Sequence, residues 1–156
     1  MERILVISDT HGNTNKAIGI FDSITGITAV IHLGDSVRDA FQIENYVYPV
    51  PVYSVPGNND FLSLEKRVRT FEIGGKTFLI THGHLHSLDD LKELATEVCA
   101  DIVLFGHTHR PYYENDDGVI FANPGSTTYP RGADASYGIA EIDKETGKLS
   151  YCNINL

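Results

Sequence analysis

The stretch at residues 4–12, Ile-Leu-Val-Ile-Ser-Asp-Thr-His-Gly, constrains the fold of this chain most strongly. Its four consecutive apolar residues of high β-propensity predict a strand that is buried on both faces. The strand runs directly into Asp9 and His11, whose side chains share one side if the backbone stays extended, with Cα atoms about 6–7 Å apart. Open α/β sheets commonly build sites at the carboxyl ends of their strands. The stretch therefore indicates either part of a metal site or an Asp-Thr-His turn that caps a helix.

Strands and helices alternate in the first third of the chain. The apolar pattern predicts strands at 29–33 and 50–55 and helices at 13–23 and 36–46, the second helix capped by Ser36. Such alternation is typical of a parallel sheet with helices packed on it.

The remainder of the chain is richer in strands. Gly74-Gly75 predicts a hairpin turn between strands at 67–73 and 76–81, and a helix at 89–98 precedes a short buried strand at 102–105. Two further strand pairs are predicted at 112–115 with 119–122 and at 137–143 with 148–153. So many strands in a single domain, residues 1–156, indicate two sheets packed face to face with helices outside.

Charge and composition exclude several classes of protein. The formal net charge of −9 argues against a general nucleic-acid binder, because such proteins bind phosphates through Lys and Arg. No apolar run approaches the ~20 residues that span a bilayer, and Met1-Glu2-Arg3 does not begin a signal peptide. Cys99 and Cys152 are isolated and predicted to be free thiols. We therefore expect a cytoplasmic protein without a membrane partner.

Residue types that bind metals follow five of the predicted strands. They are Asp9 and His11, Asp35, Asn58, His82, and His107 with His109. Each group lies beside a glycine, which lets the backbone turn sharply and approach an ion closely. Seven nitrogen and oxygen ligands exceed what one ion needs, and they fit two ions that share a carboxylate. A ligand set without thiolate suits Mn²⁺ best, with Fe²⁺, Zn²⁺, Ni²⁺ or Co²⁺ as alternatives.

Each group taken alone has a simpler explanation. Gly34-Asp35 fits an ordinary turn, residues 57–60 fit an Asx-rich loop, and His82 fits a hydrogen-bonded surface histidine. Two imidazoles at 107 and 109, directly after a buried strand, favour metal binding. Because every one of these strand ends carries a ligand type, we interpret the set as one metal centre.

The order Asp-x-His, Gly-Asp, Gly-Asn-x-Asp, His-Gly, Gly-His-x-His resembles that of the calcineurin-like metallophosphoesterase superfamily. Residues 123–126, Asn-Pro-Gly-Ser, and Arg131 resemble its small bacterial and archaeal phosphodiesterase branch. The resemblance covers nearly the whole chain and implies a four-layer α/β/β/α sandwich of two mixed β-sheets flanked by helices. It also implies that the first metal is bound by Asp9, His11 and His109, the second by Asn58, His82 and His107, and both by Asp35.

The function implied is hydrolysis of a small phosphate ester by a hydroxide that the two ions share. Among the ligands, Asp35, Asn58 and His82 are expected to lie closest to the chemistry. Asn13 is a further candidate to contact a phosphate oxygen, or else it caps a helix. Arg131 has the same two-sided interpretation, as a phosphate contact or a surface charge.

One position departs from the family pattern. Asn59 stands where much of the superfamily has a histidine that is taken as the general acid for the leaving group. Because a neutral amide does not titrate near pH 7, we expect the best activity on diesters and other phosphates with leaving groups of low pKa. His84 or His86 is an alternative acid, or else a surface histidine, and Asp60 is expected to brace the loop.

Two other functions remain as alternatives. One is a phosphomonoesterase or nucleotide pyrophosphatase, and the other is an interaction scaffold like the retromer subunit of this fold, whose metal motifs have degenerated. A scaffold has no need of all seven ligands, so the enzyme is favoured, and long nucleic acid is an unlikely partner. The tyrosines Tyr112, Tyr113, Tyr129 and Tyr137 either contribute to a homo-oligomer interface or pack on the sheet.

Overall fold

The computed structural model describes residues 1–60, 63 and 66–156. In chain order, the elements of this part are β1 (Glu2–Ile7), α1 (Thr14–Ser23), β2 (Ala29–His32), α2 (Val37–Val47), β3 (Val52–Ser54), β4 (Val68–Ile73), β5 (Lys76–Thr81), α3 (Leu88–Val98), β6 (Ile102–Leu104), β7 (Pro111–Asp116), β8 (Val119–Pro124), β9 (Ser136–Ile142) and β10 (Leu149–Asn155). None of the helices described is both long enough and apolar enough to cross a bilayer.

The strands form two mixed sheets of five strands each. The first sheet has the order β10-β9-β1-β2-β3 and the second has the order β4-β5-β6-β8-β7. At the centre of each sheet the strands are parallel, with Ile7 beside His32 in the first and Ile80 beside Leu104 in the second. The loops that follow the carboxyl ends of these central strands therefore lie on the same side of each sheet.

Alternating side chains divide the core into layers. In β1, Ile4 and Val6 pack between the two sheets, whereas Leu5 and Ile7 pack against α1 and α2. In the second sheet, Leu79 packs in the same way against α3. The four layers are therefore helices, sheet, sheet and helix, and the predicted α/β/β/α sandwich is confirmed.

Most predicted elements are present, but the strand predicted at 50–55 is limited to Val52–Ser54. The N–H of Val50 donates to the Val47 carbonyl oxygen at the end of α2 instead of to a neighbouring strand. Pro51 has no N–H to donate. The apolar run was visible in the sequence. The hydrogen bond that joins the Val50 N–H to the end of α2, and so removes it from the strand, was not.

Candidate metal centre

All seven predicted ligands lie in the loops that follow the ends of β1, β2, β3, β5 and β6, and they form two groups. In the first group, Nε2 of His109 lies 3.2 Å from Oδ1 of Asp9 and 3.2 Å from Nε2 of His11. Oδ2 of Asp35 lies 3.7 Å from the same His11 nitrogen. One ligand atom from each of these four residues lies within 4.8 Å of the others.

The second group surrounds the side-chain oxygen of Asn58. This Oδ1 atom lies 3.0 Å from Nε2 of His82 and 3.1 Å from Nδ1 of His107. Oδ1 of Asp35 lies 3.6 Å from the same His82 nitrogen. Asp35 therefore presents one carboxylate oxygen to each group.

Backbone carbonyls orient two of the imidazoles. Nδ1 of His82 donates to the Leu33 oxygen at 2.7 Å, and Nδ1 of His109 donates to the Tyr129 oxygen at 2.6 Å. A carbonyl oxygen only accepts, so Nδ1 carries the proton in both rings. In the neutral ring, Nε2 then keeps its lone pair, and that lone pair points into the centre.

Atoms that accept hydrogen bonds face one another in both groups. Oδ1 of Asp9 is fully buried and has no hydrogen-bond partner among the described residues. Its closest neighbour here, Nε2 of His109, presents a lone pair. Such an arrangement is repulsive unless a proton or a cation lies between the atoms. The imidazole, carboxylate and amide donors fit a divalent cation.

An amide rotation is a competing explanation for the second group only. If the Asn58 side chain were rotated, its NH₂ would face His82, His107 and Asp35 at 3.0–3.2 Å and satisfy them by hydrogen bonds. The four residues of the first group, Asp9, His11, Asp35 and His109, have carboxylate and imidazole side chains, so no amide rotation within that group can do this. A cation in each group would explain why hydrogen-bond acceptors face one another in both groups.

The two buried carboxylates are anchored without a cationic side chain. Ser8 and the His107 N–H donate to Oδ2 of Asp9, at 2.6 and 3.1 Å. Asn59 donates its backbone and side-chain N–H groups to Asp35, at 3.0 and 2.8 Å. Within residues 1–60, 63 and 66–156, neither carboxylate forms an ion pair with Lys or Arg. A buried negative charge of this kind calls for a metal ion or a proton.

The backbone at the strand ends is left-handed, so the condition of an extended chain from Asp9 to His11 is not met. Positive φ angles occur at five candidate ligands: Asp9 (55°), His11 (47°), Asp35 (60°), His107 (69°) and His109 (58°). These turns fold the chain across the sheet edge and place Nε2 of His11 3.8 Å from Oδ1 of Asp9. Among the described residues, Cys99 and Asp117 are the other non-glycine cases. Strained backbone of this type costs roughly 1–3 kcal/mol per residue and clusters at functional sites.

Two glycines let backbone pass close to the carboxylates. A Cβ on Gly57 would collide with Oδ1 and the backbone of Asp35, and a Cβ on Gly106 would collide with Ser8 and lie 2.9 Å from Oδ2 of Asp9. Neither position has a positive φ. Close approach, not a turn, is therefore the reason for glycine at both positions.

The centre contains imidazoles that resist protonation. Burial, followed by the nearby His82, lowers the pKa of His107. Beneath the centre, burial lowers the pKa of His32 to about 4. The Nε2 of His32 lies 3.0 Å from the Thr10 hydroxyl, which donates to Asp39 at 2.6 Å. Neutral imidazoles are the form that binds metals.

Sequence reasoning gave no role to Ser126, which fastens two strand ends together. Its buried hydroxyl donates to the Asp9 carbonyl oxygen at 2.8 Å and accepts from the N–H groups of Thr128 and Tyr129 at 3.2 and 2.8 Å. Asp39 was missed in the same way, although its Oδ2 also accepts from the Gly12 N–H at 2.7 Å. The position of Ser126 in the Asn-Pro-Gly-Ser run at 123–126 was the one sequence signal for its role. No sequence pattern pointed to Asp39.

The other predicted residues are distributed around the centre. Asn13 occupies the N-cap position of α1, but its side chain makes no capping hydrogen bond. Arg131 lines an open cleft next to His11 and His109. Asp60 braces its loop, since its carboxylate accepts from Val37 and Gly57 at 3.0 and 2.9 Å.

The two alternative acids have different positions. The His84 ring lies 5.4 Å from that of His82 and 6.1 Å from that of His107, measured between centroids. His86 instead lines a separate cavity of about 430 Å³ with apolar walls that include Phe105. His84 is thus the one that borders the ligand groups.

The four tyrosines do not behave alike. Tyr137 is partly buried against the core beneath α1 and α2, as expected for packing on the sheet. Tyr112, Tyr113 and Tyr129 are exposed, and of these Tyr129 borders the centre.

Known proteins are similar to this one over nearly its whole length. Residues 2–145 match the calcineurin-like phosphoesterase superfamily domain. A probable metallophosphoesterase of Mycoplasma pneumoniae is 30% identical over 164 residues, which cover 100% of this chain and 91% of that protein. A phosphodiesterase of Methanocaldococcus jannaschii is 31% identical over 161 residues, which cover 92% and 95%.

Solved structures share the fold. A Streptococcus pneumoniae protein described as a predicted phosphoesterase superposes with a TM-score of 0.76 at 29% identity, over 98% of both chains. Vps29 of Entamoeba histolytica, solved with zinc, also gives a TM-score of 0.76 over 98% of both chains, at 21% identity. At that identity the second likeness concerns the fold alone.

Proposed function

Because the chain belongs to the calcineurin-like phosphoesterase superfamily, we propose that its ligand groups bind two divalent metal ions and hydrolyse small phosphodiesters. The chain is a metal-dependent phosphoric ester hydrolase. The observation that carries the proposal is the position of Asp35. Its Oδ2 lies 3.7 Å from His11 Nε2 in one group and its Oδ1 lies 3.6 Å from His82 Nε2 in the other.

The ligands divide into two sets that share a carboxylate. Asp9, His11 and His109 would hold the first ion, Asn58, His82 and His107 would hold the second, and Asp35 would be shared by both. Mn²⁺ is the preferred metal, since hard carboxylate and amide oxygens accompany the imidazoles, with Fe²⁺, Zn²⁺, Ni²⁺ and Co²⁺ as alternatives.

The two ions would lower the pKa of a bound water and polarise the phosphoryl oxygens. The protein's own contribution is to hold the donors in place before substrate arrives. His82 and His109 keep their Nε2 lone pairs aimed inward through their carbonyl contacts. Asn58 is neutral, so it adds a donor without adding negative charge that would repel the phosphate.

Two side chains are available to contact the phosphate oxygens. Asn13 is free of a capping role, and Arg131 lines the cleft that opens beside His11 and His109. Arg131 supplies a guanidinium that suits a phosphate monoanion. Both side chains would hold and orient the substrate instead of moving a proton.

The preference for diesters rests on Asn59. Its amide and backbone N–H groups are both engaged with Asp35, so this position supports a ligand and offers no acid. Leaving groups must then depart without receiving a proton from this position, which favours those of low pKa. A phosphomonoesterase or nucleotide pyrophosphatase is the alternative activity within the same chemistry.

We place this activity in the cytoplasm, since Cys99 and Cys152 are exposed free thiols. The testing experiment compares bis(p-nitrophenyl) phosphate with p-nitrophenyl phosphate, using chelator-treated protein with and without added Mn²⁺. We expect hydrolysis of the diester that depends on Mn²⁺ and exceeds hydrolysis of the monoester. Protein that retains no metal and cleaves neither substrate would instead support an interaction scaffold on this fold.

A further inference from the structure

An exposed aromatic ring borders the open side of the centre. His11, His109, Tyr129, Pro130 and Arg131 line a cleft of about 510 Å³. Tyr129 is 55% exposed. Its ring meets the His11 ring edge-on, with centroids 5.6 Å apart and an interplanar angle of 78°. Apolar ring surface is thus held in solvent directly beside two candidate ligands.

The backbone that carries this ring is fixed in place. The Tyr129 N–H donates to the Ser126 hydroxyl at 2.8 Å, and its carbonyl oxygen accepts from His109 at 2.6 Å. The Arg131 N–H donates to the His109 carbonyl oxygen at 3.1 Å. A ring on a rigid segment loses little conformational freedom when a ligand packs on it.

The same segment places positive charge next to the ring. Arg131 lines the cleft. The guanidinium of Arg110 lies against the following loop, with Nη2 3.1 Å from where a Cβ on Gly132 would sit. Arg131 thus brings a positive charge to this cleft in a chain whose formal net charge is −9. An anionic ligand with an apolar flat group matches a rim that offers both features.

We propose that Tyr129 and Pro130 form a subsite for a planar aromatic ester group of the substrate, with Arg131 against the phosphate. The proposal rests on the proposed function and narrows its substrate class to phosphodiesters that carry an aromatic ring. A substrate whose phosphate lies on the open side of the centre, beside His11 and His109, would extend one ester arm into this cleft. Ring stacking of this kind changes affinity by about two- to tenfold beyond the effect of buried area.

Equilibrium calorimetry with Mn²⁺-loaded protein tests the subsite. The probes are phenylphosphonate and cyclohexylphosphonate, which have the same charge and similar size but differ in aromaticity. We expect the protein to bind the phenyl probe about two- to tenfold more tightly. Tyr129→Phe should keep that preference, and Tyr129→Leu should abolish it by weakening binding of the phenyl probe much more than binding of the cyclohexyl probe. Tyr113→Leu, at an exposed tyrosine on β7, is the matched control and should keep the preference.

Three outcomes would overturn the subsite. They are an equal preference in Tyr129→Leu and the unaltered protein, a comparable loss of affinity for both probes in Tyr129→Leu, and a change of oligomeric state as the main effect of that substitution. Metal content measured on each variant shows that the centre remains loaded. Because the readout is binding, loss of the phenyl preference in Tyr129→Leu supports the subsite even in a protein that hydrolyses no diester. Failure of the proposed function is thereby kept separate.

Discussion

The imidazole of His82 is joined to the carbonyl oxygen of Leu33 by a 2.7 Å hydrogen bond that connects the two sheets. Leu33 directly follows β2 of the first sheet, and His82 directly follows β5 of the second. The orientation of one candidate ligand therefore depends on how the sheets pack. A substitution that perturbs this packing should lower metal affinity at the candidate centre before it unfolds the protein.

Replacing Asp35 by Asn should disable both halves of the centre together. The substitution removes the charge that faces both ligand groups while keeping the shape of the side chain. We expect most of the bound metal to be lost, with activity reduced by about 100-fold or more. Elemental analysis and diester hydrolysis measure the two effects. Asp22→Asn, on α1 away from the centre, is the matched control, and full metal content in Asp35→Asn would contradict the shared role.

Adding one methyl group at Gly57 should damage the centre through sterics alone. The new Cβ would collide with the Asp35 carboxylate and backbone. We expect Gly57→Ala to lose metal and activity.

Gly19→Ala provides the control for this substitution. Gly19 lies within α1, and a Cβ added there would meet no atom of another part of the protein within 4 Å. Alanine there should stabilise the protein by about 0.5–1 kcal/mol, because glycine is unfavourable inside helices. Thermal unfolding with metal analysis separates the two variants, and unchanged metal content in Gly57→Ala would refute the packing argument.

Ser126→Ala should weaken metal binding without removing any ligand. The buried hydroxyl links the Asp9 carbonyl oxygen to the loop that orients His109. Its loss leaves buried polar groups unpaired, at a cost of about 1–3 kcal/mol. We expect a lower free energy of unfolding and about tenfold weaker binding of one metal equivalent. Ser150→Ala, at an exposed position of β10, should alter neither quantity, and equal metal affinity in Ser126→Ala and the unaltered protein would show that the link is dispensable.

The stability of the fold should fall in mild acid because of His32. Burial holds its pKa at about 4, below the ordinary value of 6.5, although Asp39, Asp9 and Asp60 partly oppose this. Above pH 6.5 both states are neutral. Between pH 6.5 and 4 the unfolded chain binds a proton that the native protein does not, so stability declines as the pH falls.

Chemical unfolding at pH 7.5 and pH 5 measures this decline. For His32 we expect a loss of about 2 kcal/mol over that interval. His32→Gln stays neutral at both pH values, so the pH dependence should be smaller by that amount in the variant. An identical decline in both proteins would show that His32 is not responsible.

The rate should fall steeply as the leaving group becomes more basic. With Asn59 unable to donate a proton, the logarithm of kcat/KM for a series of aryl and alkyl diesters should decrease with leaving-group pKa. Asn59→His introduces an imidazole at the same position and should flatten this dependence. The series is measured with both proteins under metal saturation. A flat profile for the unaltered chain, with chemistry rate-limiting, would contradict the absence of a general acid at position 59.

The sequence predicted those features that local patterns encode. The apolar run before Asp9 defined β1, and Gly74-Gly75 defined the hairpin of β4 and β5. All seven candidate ligands, identified by residue type at strand ends, lie together. The assignment of metals to them stays a prediction.

The features that were missed depend on contacts between distant parts of the chain. Ser126 and Asp9 are 117 positions apart, and their contact follows from how β8 and β1 are placed in different sheets. The carbonyl groups of Leu33 and Tyr129 orient imidazoles, but a carbonyl is present at every residue and leaves no mark in the sequence. The left-handed turn at His11 was missed because a period-two argument assumes a continuing strand.

The left-handed backbone at five candidate ligands restricts how this centre can change during evolution. Bulky or β-branched residues there would be disfavoured by the backbone itself, whereas Gly, Asn, Asp and His are tolerated. A descendant that no longer needed catalysis would still be confined to small or polar residues at 9, 11, 35, 107 and 109. The backbone shape and polar character of these loops would be retained after catalysis was lost. Such a descendant would keep a rigid polar surface that a new protein partner can bind.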